Sequence, residues 1–189
     1  MASSDLKGWL TDANPLVRPA TRASALRAAR WGAISLVASA LVLLLSSVEL
    51  VLNRDAFVAL MSAPVEAPGV SSAEADAVAS MTAAMAEGMF LPVLIWGFLF
   101  VALYLGLAVL QWRQPNVWIP AIILVWTLVG VLGALSVYLF PLMGLPMPAD
   151  QPTVTSAWTT GLSWIVQTAG AVLLITSIRG ARALEKMPA

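Results

Sequence analysis

Four segments of this chain run for about 20 residues each with almost no charged side chain, and no other feature restricts the possible folds as strongly. They cover residues 31–53, 88–111, 117–140 and 157–178. An α-helix of about 20 apolar residues crosses the roughly 30 Å hydrocarbon core of a bilayer, and backbone amides in lipid must find their hydrogen bonds within the protein. We therefore expect an all-α integral membrane protein, folded as a four-transmembrane-helix bundle.

The orientation of the predicted spans follows from the distribution of the positive charges. Lys and Arg side chains near span ends are concentrated on the cytoplasmic side of membrane proteins. In this chain they gather before the first span, between the second and third spans, and after the fourth: Arg18, Arg22, Arg27, Arg30, Arg113, Arg179, Arg182 and Lys186. The opposite connections contain a single cation, Arg54. We therefore expect both termini to be cytoplasmic, with the chain in a bacterial inner membrane.

The first 30 residues are expected to form a cytoplasmic arm at the membrane interface, which from about Thr21 is a basic helix leading into the first span. Leu6, Trp9 and Leu10 share one face of a short predicted helix. This face can anchor the arm at the lipid surface, or it can dock on a partner subunit. Residues 179–189 form the corresponding cytoplasmic tail.

The first outer connection, residues 54–87, is expected to contain a short amphipathic helix. Its larger apolar residues are spaced three or four apart and so form one stripe along a helix: Val78, Met81, Met85 and Met89. The helix either lies on the outer surface or runs directly into the second span. The other outer connection, residues 141–156, contains four prolines, which is typical of a stiff, extended connector.

Cysteine and histidine are both absent from the sequence. Their absence excludes disulfides, thiolate and imidazole metal sites, cysteine nucleophiles and His-dependent triads. Hydrophobic residues make up 60% of the chain and charged residues 11%, with a formal net charge of zero. This composition is too apolar for a typical soluble domain. The neutral net charge also gives no positively charged surface for binding nucleic acid. We predict no enzymatic activity, no cofactor and no nucleic-acid partner.

Two polar side chains within the spans are functional candidates. Glu49 is the one ionisable residue well inside a span, where an unpaired carboxylate is unfavourable. It lies near the outer end, so it can reach water, pair with Arg54, move a proton or ion, or contact a partner. Gln167 is the other strong polar group at depth, and a hydrogen bond across the bundle to a serine of the first span is expected.

The methionines form a further candidate site. Apart from the two terminal ones, all lie on the predicted outer side or at its boundary. The spacing of Met81, Met85 and Met89, repeated by Met143 and Met147, resembles the Met-xxx-Met pairs of copper-uptake membrane proteins. That resemblance covers these residues alone, and it implies Cu(I) binding by thioethers, which are soft ligands. The alternative is a flexible apolar contact surface.

These observations favour a non-catalytic accessory or assembly subunit of a larger inner-membrane complex. Its expected partners are the lipid bilayer and other integral-membrane subunits, or further copies of itself. The partner contacts would be the arm face of Leu6, Trp9 and Leu10 and the stripe from Val78 to Met89. The alternative function is a small membrane transporter or channel, and its most specific form is one that handles Cu(I).

Overall fold

A computed structural model describes residues 2–61, 72–139 and 155–187, and every regular element in these ranges is an α-helix. The helices are α1 (Ala2–Asp12), α2 (Arg22–Leu52), α3 (Arg54–Met61), α4 (Ser72–Arg113), α5 (Trp118–Leu139) and α6 (Ala157–Lys186). Three of them, α2, α4 and α6, are long and apolar enough to cross a membrane. The prediction of an all-α chain with helices able to span a membrane is thus confirmed for the described residues, for three helices. In α5 the described apolar stretch, Trp118–Gly133, is shorter than a full span.

Helix α2 begins well before the first predicted span. Thr21 caps its N-terminus: the Thr21 hydroxyl accepts from the Ser24 backbone N–H at 3.2 Å, and the Ser24 hydroxyl accepts from the Thr21 N–H at 3.1 Å. This reciprocal pair satisfies two amides that the first helical turn leaves free. Residues 22–30, expected as the basic helix of the arm that leads into the first span, form with that span one helix of 31 residues.

Helix α4 joins the amphipathic segment and the second span. It has 42 residues, which corresponds to about 63 Å at 1.5 Å per residue. Of the two expected arrangements, the segment therefore runs directly into the span. The short helix α3 was not expected from the sequence. It packs against α4 through Phe57, whose ring centroid lies 5.8 Å from that of Phe90, while the Arg54 guanidinium lies 5.5 Å from the Phe90 ring.

Helix α2 occupies the centre of the bundle. It packs most extensively against α6 and next against α4, while α5 packs mainly on α6. The core between these helices is built around Leu36 of α2 and Leu174 of α6, each 1% exposed. The remaining buried members of this core come from α2, α4 and α5: Ala33, Ala40, Tyr104, Ala108 and Ile123.

The bundle has two ends, which we name by one residue each. At the Glu49 end, α2 finishes beside the start of α6, because Glu49 is hydrogen-bonded to Ser156. At the Arg113 end, the start of α2 meets the last turns of α4 and α6, because Gln111 donates to the Ala29 carbonyl and to Ser177. Helices α2 and α6 are therefore antiparallel.

Small residues allow the closest approach of α2 and α6, at the Arg113 end. A Cβ atom added to Gly180 would lie 2.8 Å from both the carbonyl oxygen of Ala25 and the carbonyl carbon of Ala28. Real Cβ atoms do not approach backbone this closely. The alanines themselves are almost fully buried. The absence of a side chain at Gly180 thus sets the separation of the two backbones.

Candidate functional site

The N-terminal arm is held against its own bundle by tryptophans. The Trp9 ring is stacked on Trp112 of α4, with centroids 5.9 Å apart and planes 6° apart. It also meets Trp31 of α2 edge-on, at 5.9 Å and 76°. The Trp31 Nε1–H donates to the Trp9 carbonyl at 3.1 Å. Trp9 is therefore engaged within the chain.

The other two residues of the arm face are exposed. Leu6 and Leu10 point away from the Trp9 cluster and leave most of their surface open, at 63% and 60%. The arm is held further by an ion pair of 2.6 Å between Arg27 and Asp12, and by the Thr176 hydroxyl, which donates to the Ala13 carbonyl. The predicted face thus divides: Trp9 attaches the arm, and Leu6 and Leu10 remain available to lipid or a partner.

Replacing Trp9 by alanine is expected to release α1 while the bundle stays folded. Two aromatic pairs are lost, and such pairs contribute about 0.5–1.5 kcal/mol each beyond the area that they bury. Hydrogen exchange of the α1 amides should accelerate roughly tenfold or more, because 1.4 kcal/mol changes an equilibrium tenfold. Leu10→Ala, in the same helix but exposed, should leave the exchange rates almost unchanged. Equal acceleration in both variants would contradict the docking role of Trp9.

The apolar stripe of α4 is exposed along its whole length. Val78, Met81, Met85 and Met89 lie between 46% and 66% exposed. Ala86, on another face of the same helix segment, is 2% exposed. The stripe therefore points away from the rest of the described chain. Met143 and Met147, the other predicted thioethers, lie outside the described residues.

Glu49 ties the end of α2 to the start of α6. Its Oε2 accepts from the Ser156 backbone N–H at 3.1 Å, and its Oε1 accepts from the Ser156 hydroxyl at 2.8 Å and from the Thr159 hydroxyl. Ser156 is the N-cap residue of α6, so the carboxylate also sits at the positive end of that helix dipole. Arg54, considered as a partner from the sequence, lies instead over Phe90. These contacts give Glu49 a positioning role between two helices.

Gln167 makes a different hydrogen bond from the one expected. Its Nε2 donates to the Ser163 hydroxyl at 3.1 Å, one turn earlier in α6. The expected bond to a serine of the first span is therefore wrong, because α2 and α6 separate at this level. A cavity of about 180 Å³ lies between them, and both Gln167 and Ser39 line it.

A buried polar network at the Arg113 end was not found by the sequence reasoning. The Gln111 side chain is completely buried, and its Nε2 lies 3.2 Å from the carbonyls of Ala29 and Asn116 and from the Ser177 hydroxyl. The Ser177 hydroxyl donates to the same Ala29 carbonyl at 2.6 Å. These bonds join α2, α4, α6 and the connection to α5 at one point.

A basic cleft lies beside this network, at the end of α6. Its charged lining consists of Arg18, Arg179, Arg182 and Lys186. None of the four forms an ion pair with a carboxylate whose side chain the structure describes. Four cations at a helix end suit the phosphate-rich interface of an anionic membrane leaflet.

Comparison of the chain with protein-family models, with curated proteins and with solved structures found no match. The described sites offer hydroxyl, amide, carboxylate and cationic groups, and Glu49, Gln111 and Ser177 are each hydrogen-bonded to another helix. Their chemistry within the described residues is therefore the positioning of helices, together with hydrogen bonding at the cavity beside Gln167.

Proposed function

We propose that this protein is a non-catalytic accessory or assembly subunit of a larger membrane complex, placed in a bacterial inner membrane. The observation that carries the proposal is the exposed stripe from Val78 to Met89, on a helix that is longer than a membrane is thick. Its partners would be other integral-membrane subunits or a second copy of the chain.

The length of α4 supports a contact surface outside the hydrocarbon. About 63 Å of helix exceeds the roughly 30 Å apolar core even at a strong tilt. If residues 88–111 span the membrane, the part of α4 before Gly88 extends about 24 Å beyond it. An exposed apolar stripe in that position is unfavourable in water and is stabilised when another protein covers it. Methionine suits such a surface because its unbranched thioether adapts to irregular partners.

Four spans with both termini cytoplasmic are part of the proposal. Helix α5 begins at the Arg113 end, where Asn116 caps it, and α6 begins at the Glu49 end. The chain between these two points must cross the bundle, so α5 is proposed as the third span in chain order, which together with α2, α4 and α6 makes four. The arm, the 111–117 connection and the tail together hold nine of the ten basic residues and three of the ten acidic ones, a net charge of +6. This excess favours a cytoplasmic location for the Arg113 end.

A matched pair of double variants tests the contact surface. Met81→Ser with Met85→Ser removes apolar area from the stripe, and we expect the partner or second copy to be lost on purification in mild detergent. Met81→Leu with Met85→Leu keeps the apolar area but removes the sulfur, and we expect association to persist. The measurement is the mass of the purified complex by light scattering, with identification of any co-purifying chain.

Two outcomes would contradict the accessory role. One is a wild-type protein that purifies alone as a monomer. The other is loss of association in the leucine pair together with loss of Cu(I) binding in a titration of the purified protein, which would favour the alternative of Cu(I) handling. Retained association in the leucine pair would separate apolar contact from thioether chemistry.

The alternative of a small transporter or channel is favoured by one observation, the polar cavity between the helices. All four long helices contribute polar side chains to it, at a depth where a membrane protein rarely exposes polar groups without a purpose.

A further inference from the structure

A polar cavity of about 180 Å³ lies inside the bundle, between α2, α4, α5 and α6. Its polar lining comes from all four helices and contains no ionisable acid or base other than a tyrosine: Ser35, Ser39, Tyr104, Thr127, Ser163 and Gln167. The remaining lining is apolar or aromatic. At about 30 Å³ per water, the cavity has room for roughly six water molecules or one small solute.

Several polar groups at this cavity have hydrogen-bonding capacity that the protein does not use. Tyr104 is 8% exposed, and its hydroxyl makes no hydrogen bond to a described residue. Among the described side chains no buried polar atom lacks a partner, so this hydroxyl must reach the open space that Tyr104 lines. The Ser39 hydroxyl has no described partner either, and Gln167 retains its carbonyl oxygen because its amide nitrogen donates to Ser163.

The cavity continues towards the Glu49 end. A second pocket of about 260 Å³ shares Ser163 and Gln167 with it and extends along hydroxyl-bearing residues of α2 and α6: Ser46, Thr159 and Thr160. Towards the Arg113 end the space is closed. Leu36 and Leu174 are each 1% exposed there, and Gln111, nearer the Arg113 end, is fully buried. Of the two ends of the bundle, the space is thus open towards the Glu49 end, and it also faces outward beside α5, where Trp126 and Gly130 of its lining are exposed.

We propose that this cavity is a binding site for a small, uncharged, hydrogen-bonding solute of the polyol or amide class, entered from the Glu49 end. Its lining offers hydroxyl and amide groups that donate and accept, which match such a solute. A charged solute at this depth would find no counter-charge in the lining and would be strongly disfavoured. The inference goes beyond the accessory role, because a subunit that only holds partners needs no such site.

The chain contains no cysteine, so single cysteines report directly on access to the cavity. The reporter is a Ser39→Cys variant, treated with a small membrane-impermeant methanethiosulfonate from either side of oriented vesicles. We expect modification from the Glu49 side alone. A Thr160→Cys variant, in the second pocket, is the positive control. A Ser177→Cys variant should not react, because Ser177 is fully buried on the Arg113 side of Leu36 and Leu174. No modification of the Ser39→Cys variant from the Glu49 side, while the Thr160→Cys variant reacts, would overturn the proposal.

Solute binding is measured as protection of the same reporter. Glycerol, urea and acetamide are the probes, and a bound solute slows modification by a factor of 1 + [L]/Kd, about fivefold at four times its Kd. We expect saturable protection by at least one of them and none by acetate or ammonium. Tyr104→Phe should weaken this protection roughly 2- to 10-fold by removing one hydrogen bond. Thr168→Val should not, because the Thr168 side chain is exposed, lies outside the cavity lining and donates to the Trp164 carbonyl of its own helix. Modification that no uncharged probe slows, or equal protection by the ions, would overturn the proposal.

Discussion

Gly180→Ala is expected to destabilise the folded protein by about 3 kcal/mol, although it adds a single methyl group. That methyl would lie 2.8 Å from the carbonyl oxygen of Ala25 and from the carbonyl carbon of Ala28, and it would also contact the backbone nitrogen of Ala29. These are backbone atoms of a helix, which cannot move aside as a flexible side chain can. The added methyl must therefore push α2 and α6 apart along their most extensive interface.

The matched control for this substitution lies in the same helix. A Cβ added to Gly161 meets nothing within 4 Å, so Gly161→Ala keeps all packing and gains up to about 1 kcal/mol of helix propensity. The free energy of unfolding, measured by denaturant titration in detergent micelles, should thus fall for Gly180→Ala and stay level or rise for Gly161→Ala. Equal stability of the two variants would show that the close approach of α2 and α6 is not required for the fold.

The long apolar helices could be predicted from the sequence because hydrocarbon thickness sets a minimum run of apolar residues. The ends of these helices are decided outside the hydrocarbon, by capping residues and by contacts with other helices, and hydropathy does not report them. Helix α2 begins at Arg22 because Thr21 caps it, and its first turns are retained because Ala25 and Ala29 pack under Gly180. Such contacts between small residues leave no hydropathy signal, since alanine and glycine are common throughout the chain.

The candidate polar residues could be identified from the chemistry of their side chains, but their hydrogen-bond partners could not. Glu49 was identified because a carboxylate in an apolar run is unfavourable, yet its partner Ser156 is 107 positions away in the chain. The pairing depends on how α2 and α6 are rotated about their axes, and one sequence does not determine these rotations. Gln111 was overlooked because a polar residue at a span end looks like an ordinary interfacial group, although the structure buries it completely.

Gln111→Ala is expected to destabilise the protein by about 2–4 kcal/mol. The substitution removes hydrogen bonds to Ala29, Asn116 and Ser177, which contribute roughly 0.5–1.5 kcal/mol each, and it leaves a cavity where a fully buried side chain had been. The matched control is Gln114→Ala, in the same connection, whose side chain is exposed. Denaturant titration should show a large loss for the first variant and a change within about 0.5 kcal/mol for the second.

A double-mutant cycle separates the hydrogen bond from the packing. Ser177→Ala alone also loses the bond of that hydroxyl to Ala29, so the two single variants overlap in what they remove. If Gln111 and Ser177 act as one network, the coupling energy should be about 0.6–1.7 kcal/mol, as measured for hydrogen bonds in membrane proteins. Additive losses would mean that Gln111 acts through its volume and not through the network.

The same substitution should change access to the cavity. Leu36 and Leu174 close the cavity towards the Arg113 end, and Gln111 lies on the Arg113 side of them. In the Gln111→Ala background, the Ser39→Cys reporter should become reactive from the Arg113 side as well as from the Glu49 side. Water entering the vacated volume would find the Asn116 carbonyl and N–H, which both lose Gln111 as their hydrogen-bond partner and stabilise the water there. Gln114→Ala should leave access one-sided. A reporter that stays closed to the Arg113 side in the Gln111→Ala variant would show that Leu36 and Leu174 alone form the seal.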